Sequence, residues 1–174
     1  MKNKNLILSA LLLTIGLVLH TLVPGIFGLM KPDFLVAFFF MALFLLDSLQ
    51  EAITVSVACA ILASMTTSMP GGEVSNIVDK LVCGPIVFVL GQRVKQMSPL
   101  LQSLTLGTLG TLLSGSIFLI TLSFLGLLPM DFIQMILVIV VPTAIANTFL
   151  FFILLKALQR VRPNYNKELQ IKHR

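Results

Sequence analysis

Between Met69 and Lys80 the sequence MPGGEVSNIVDK places an amide, two carboxylates and an ammonium within twelve residues. Asn76, Asp79 and Lys80 fall at i, i+3 and i+4, so a helix puts them on one face. Glu73 lies one turn earlier, beside Gly71-Gly72. An acid, a cation and an amide on one face suit the capture of a small zwitterion or anion by charge-assisted hydrogen bonds. Asp79 and Lys80 are adjacent, about 100° apart around a helix, and are not obliged to pair with each other. The plainer reading is a self-paired set at the lipid headgroups. Ser75 is positioned as an N-cap, which would leave free backbone N–H groups and a positive dipole end for a carboxylate.

Two further groups have the same flavour. In FGLMKPDF, Phe27 to Phe34, Lys31 and Asp33 stand among Phe and Met. Lys31 reads either as a lid cation meeting an anionic ligand group or as a lysine snorkelling at an interface. In VVPTAIANT, Val140 to Thr148, Pro142 interrupts a helix, and Thr143 and Asn147 are four apart on one side. Asn147 either faces a cavity beside that kink or bonds a neighbouring helix. Catalytic chemistry is not indicated. There is no phosphate-binding loop of the G-x-x-x-x-G-K-Ser/Thr kind and no nucleophile with a base in reach. Cys59 and Cys83 form no CxxC or Cys/His set, so no metal site or cofactor is expected. His20 reads as a hydrogen-bonded packing residue. The expectation is a binding protein and not an enzyme.

The elements that hold these residues follow from composition. Of 174 residues 57% are hydrophobic and 11% charged, with a mean hydropathy of +1.02. A soluble domain carries about 25% charged residues. That excludes a soluble enzyme and a disordered chain, and the long apolar runs point to an all-α integral membrane protein. A span needs about 20 mostly apolar residues. Six helices are predicted, at about 6–23, 34–46, 52–69, 76–91, 100–128 and 132–158, forming one transmembrane domain over 1–158 with a basic tail over 159–174. Helix five carries Ser103, Gly107, Thr111 and Gly115 every four residues, a stripe that lets another helix approach closely. Helix one has a lesser version in Ala10 and Thr14.

The net basic charge follows topology and not a nucleic-acid face. With the N-terminus inside, the inner segments hold Lys2, Lys4, Arg93, Lys95, Lys156, Arg160, Arg162, Lys167, Lys172 and Arg174, ten of the twelve Lys and Arg residues. Lys31 and Lys80 alone fall outside. The positive-inside rule then puts both termini in the cytoplasm. No nucleic-acid partner is expected; lipid and a small molecule are.

KPD after helix one, PGGEVSNIVDK ahead of and into helix four, and Pro142-x-x-x-x-Asn147-Thr148 in helix six resemble the tryptophan transporter TrpP family, over nearly the whole chain up to the tail. That family belongs to the substrate-binding (S) components of energy-coupling-factor transporters. The resemblance implies a six-helix S-component bundle in the bacterial cell membrane that captures tryptophan near the outer face. It implies a site made by the first outer loop and helices four to six: Lys31, Glu73, Asn76, Asp79, Lys80, Thr143 and Asn147. It implies, too, a small-residue pattern on helix one for docking a membrane coupling subunit driven by ATPases, here Ala10-xxx-Thr14 with Thr in place of the second Ala. From the residues alone, only a small zwitterion or anion with an apolar body is indicated, which leaves a vitamin as another S-component ligand. The rod-shape protein MreD, a membrane scaffold of similar size, also shows Lys- or Arg-Pro-Asp after helix one, but a scaffold has no use for Glu73, Asn76, Asp79 and Lys80 around a glycine turn.

The topology is tested by cysteine labelling from outside in a background lacking Cys59 and Cys83. A cysteine at Gly72 should be modified and one at Gln96 protected; the reverse pattern removes both the topology and the site.

Overall fold

A computed structural model describes residues 3–22 and 33–161 of the chain. It is an all-helical bundle of α1 (Asn3–Leu22), α2 (Phe34–Leu45), α3 (Leu49–Thr66), α4 (Gly72–Val94), α5 (Pro99–Phe124) and α6 (Phe132–Val161). Five of these are long and apolar enough to cross a membrane. Lys31 and residues 162–174 lie outside the described residues.

The bundle is arranged as lipid demands. Leu49, Ile53, Val57, Ile61 and Met65 repeat every four residues along α3 and all are exposed. That stripe is apolar because its solvent is hydrocarbon. The buried centre is α2, FLVAFFFMALFL, apolar on every side and buried from Leu35 to Leu45. A helix apolar all round belongs in a core. Its 12 residues extend about 18 Å at 1.5 Å per residue, well short of the roughly 30 Å hydrocarbon layer. Both ends therefore lie below the surface and need partners, since lipid offers no hydrogen bonds. At the start, Asp33 caps the helix by accepting from the Val36 N–H at 3.1 Å. At the end, the Leu46 carbonyl accepts from Gln92 Nε2 at 2.9 Å and from Lys95 Nζ at 3.0 Å. A buried lysine there also opposes the negative end of the helix dipole.

The α3–α4 turn departs from the sequence reading. Helix α4 begins at Gly72, not near Asn76, because Gly71 adopts φ 74° and turns the chain straight into the helix. Ser75 is consequently no N-cap; its Oγ donates back to the Gly71 carbonyl at 3.0 Å. Gly72 is buried against Thr67, so the outside labelling position is better taken at exposed Glu73. Helix α5 likewise stops at Phe124 and not Leu128. Gly126, φ 69°, lets the Leu127 N–H close on the Leu122 carbonyl at 3.1 Å, a left-handed C-terminal stop.

Helices α5 and α6 are each interrupted by a wide π-helical stretch, Leu104–Leu109 and Ile136–Val140. The second stands immediately before Pro142, which lacks an N–H and crowds the preceding turn. The small-residue stripe of α5 seats α6. A side chain at Gly107 would run into the Thr148 backbone, and one at Gly115 into Val140. Beside them Thr108 and Thr148 join their hydroxyls at 2.7 Å.

Candidate functional site

Around the N-terminal end of the short helix α2, the surrounding helices line a cavity of about 290 Å³. One wall is the α4 face of Asn76, Asp79 and Lys80; Thr111, Ser114 and Phe118 of α5 and Met135, Val140 and Thr143 of α6 form others. His20 of α1 and Asp33 line it from the α1–α2 side, their side chains 3.4 Å apart.

The polar centre is an ion pair with little access to solvent: Asp79 is 1% exposed and Lys80 3%. Although adjacent on α4, the two bend together, and Lys80 Nζ donates to Asp79 Oδ2. Ser114 Oγ locks the pair, donating to Asp79 Oδ2 at 2.7 Å and accepting from Lys80 Nζ at 3.3 Å. The pairing left open by their angular separation is thus made, because an isolated charge in a dry bundle is far more costly than a bent side chain. It lies inside the bundle and not at the headgroups. The pair is not saturated. Asp79 Oδ1 is buried without a donor, and Lys80 uses two of its three N–H groups. One acceptor and one donor are therefore left over on two residues that line the cavity.

The other candidate residues divide. Asn76 lines the cavity and donates from Nδ2 to the Ala63 carbonyl of α3 at 3.3 Å. Thr143 lines it from α6. Asn147 is fully buried behind the wall, where Nδ2 donates to Thr111 Oγ1 at 3.2 Å and Oδ1 has no partner. Glu73 is exposed and off the cavity, because the earlier start of α4 turns it outward. Lys31 falls outside the described residues. Ala10 and Thr14 are exposed on the outer face of α1, and the Thr14 hydroxyl folds back onto the Ala10 carbonyl at 2.9 Å.

Ser114, and the place of Thr111 on the cavity wall beyond its part in the packing stripe, leave no distinct signal in the sequence, because hydroxyls in a small-residue helix read equally well as packing. Sequence reasoning also placed His20 in packing alone, whereas the ring lines the cavity. Among the described residues no three His, Cys, Asp or Glu side chains gather to hold a metal ion. Cys59 and Cys83 are both buried and unbridged. The arrangement sets charge of both signs beside an apolar wall.

Removing one member of a buried pair strands the other and costs about 3–5 kcal/mol, while replacing both by apolar groups is near neutral. Asp79→Leu and Lys80→Met should each lower the melting temperature in detergent, and Asp79→Leu/Lys80→Met should recover most of the loss. Additive losses in the double variant would show that the two charges are not a unit.

Comparison with known proteins finds a family that the chain matches. The family model described as "Tryptophan transporter TrpP" matches residues 2–162. A "Probable tryptophan transport protein" of Bacillus subtilis (strain 168) is 31% identical over 161 residues, covering 92% of this chain and 94% of that protein. Proteins of the same description from Clostridium acetobutylicum and Clostridium perfringens are 32% identical over 161 residues and 34% over 169. The alignments cover 92% of this chain and 94% of the relative in the first case, and 91% and 92% in the second. No solved structure gives a significant match.

Proposed function

Because the chain belongs to the tryptophan transporter TrpP family, we propose that it is the substrate-binding subunit for tryptophan uptake across the bacterial cell membrane. It takes the amino acid from the outer side into the cavity beside Asp79 and Lys80. The observation that carries this reading is the unsaturated ion pair, with one spare acceptor and one spare donor beside an apolar wall. An α-amino acid brings the complement. Its ammonium supplies the donor that Asp79 Oδ1 lacks, and its carboxylate accepts from the remaining Lys80 N–H. Ser114 positions both partners. Phe118, Met69, Met135 and Leu119 give the side chain an apolar enclosure, and aromatic burial provides most of the non-polar gain. Thr143 adds a neutral hydroxyl, and Asn147 holds Thr111 from behind.

The chain has no ATP-binding motif, so active uptake falls to a partner, in the manner of an energy-coupling-factor S component. The docking surface is the outer face of α1. There Ala10 and Thr14 lie small and exposed among Ile7, Leu11 and Ile15, with the Thr14 hydroxyl turned inward onto its own helix. Both termini are cytoplasmic, which sets the cavity on the outer half.

Purified protein should bind labelled tryptophan with no competition from thiamine, riboflavin or niacin. Asp79→Leu/Lys80→Met should bind it roughly ten- to a hundred-fold more weakly, as expected for the loss of one or more charge-assisted bonds of about 1.5–3 kcal/mol. Parental affinity in that variant would place the ligand elsewhere. Ala10→Trp should abolish uptake in cells yet spare binding; full uptake would argue against docking on α1.

A further inference from the structure

Asn76 stands one helical turn before the ion pair and lines the same cavity. Its Nδ2 donates to the Ala63 carbonyl on the neighbouring α3 at 3.3 Å. That bond decides which end of the amide serves the protein. One of the two Nδ2 N–H groups is used on α3, and among the described residues nothing donates to Oδ1. An asparagine held by its oxygen would present only N–H groups to a ligand; one held through a single N–H keeps its oxygen as an acceptor.

Several other polar side chains nearby are already engaged, and the Thr143 hydroxyl lines the cavity from α6. Thr66 Oγ1 donates to its own helix at the Leu62 carbonyl, 2.9 Å away. Thr111 Oγ1 accepts from Asn147. Asp33 Oδ1 caps α2 and contacts His20. Residues three and four apart on a helix stand about 5–6 Å from each other at Cβ. That separation matches the reach from the α-ammonium of an amino acid to an N–H on a fused aromatic ring.

We infer that Asn76 Oδ1 accepts a hydrogen bond from a ring N–H of the ligand, so that Asn76 is the residue by which the cavity selects an indole over an aromatic ring without a donor. The inference rests on the reading that Asp79 and Lys80 hold the head group of an amino acid. It adds a chemical reason for ring selectivity that head-group recognition does not provide. A ligand lacking the N–H leaves Oδ1 buried against a ring and unpaired, which is more costly than the loss of the hydrogen bond alone.

The test uses two ligands of nearly equal shape, L-tryptophan and the alanine derivative bearing benzothiophene, in which sulfur replaces the ring N–H. Dissociation constants are measured by calorimetry on the purified protein. The parent should prefer tryptophan by about 5- to 50-fold. In Asn76→Ala, and in the bulkier Asn76→Leu should the first fail to purify, the preference should fall to within about two-fold, since the hydrogen bond that sets it is gone. A general loss of packing would weaken both ligands together and leave the ratio intact, and that result overturns the inference. So does a parent that binds tryptophan without discriminating, or a preference that collapses in Asp33→Asn and survives in the Asn76 variants. A parent that binds neither ligand overturns the head-group reading and this inference with it.

Discussion

Asp79, Lys80 and Ser114 share a few hydrogen bonds in a place with little access to bulk solvent. In a lipid-embedded bundle every buried donor or acceptor either has a protein partner or is costly. The pair meets most of this demand internally, and the surrounding wall of the cavity is arranged around it. Helix α5 approaches α6 on glycines, which holds Ser114 and Thr111 against the α4 face. What the pair leaves unmet, one carboxylate oxygen and one ammonium N–H, is the feature from which a ligand can be argued. An apolar replacement of the same volume would satisfy the fold as well, so retaining two charges there calls for a use beyond stability.

The cavity itself is a consequence of length. Helix α2 is too short to cross, and the five other helices are longer. Space remains above Leu35 and Val36, floored by the α2 N-terminus and its cap Asp33. At the other end the same shortness exposes the Leu46 carbonyl, which Gln92 and Lys95 satisfy. One run of apolar residues, bounded by Asp33 and Asp47, thereby fixes both the Gln92 and Lys95 contacts at one end and the floor of the cavity at the other. Two caps keep it from sliding.

Much of this was legible in the sequence, and the reasons for the gaps are specific. Apolar runs of span length reveal lipid-facing helices, and the i, i+3, i+4 spacing of Asn76, Asp79 and Lys80 does place them on one wall. The end of a helix, by contrast, depends on which glycine takes a positive φ. Gly71 and Gly126 do so, and this moved the start of α4 and with it Glu73 out of the cavity. Asn147 and Thr143 share a side of α6 by spacing, yet a wall one residue thick separates them in role: Thr143 lines the cavity and Asn147 stands behind Thr111. Ser114 was invisible because a hydroxyl in a small-residue helix has the same signature whether it packs or bonds. The contact between Asp79 and Lys80 could not be read from adjacency, since it arises from burial by other helices.

The central claim is that the buried pair reads both charges of an amino acid. The most direct measurement is calorimetric binding of three ligands to the purified protein: tryptophan, tryptamine, which lacks the carboxylate, and indole-3-propionate, which lacks the ammonium. The account predicts that tryptophan binds and that each singly charged analogue is weaker by roughly ten- to a hundred-fold, the loss of one charge-assisted bond. Equal affinity for tryptophan and either analogue would contradict it, because one side of the ion pair would then contribute nothing to recognition.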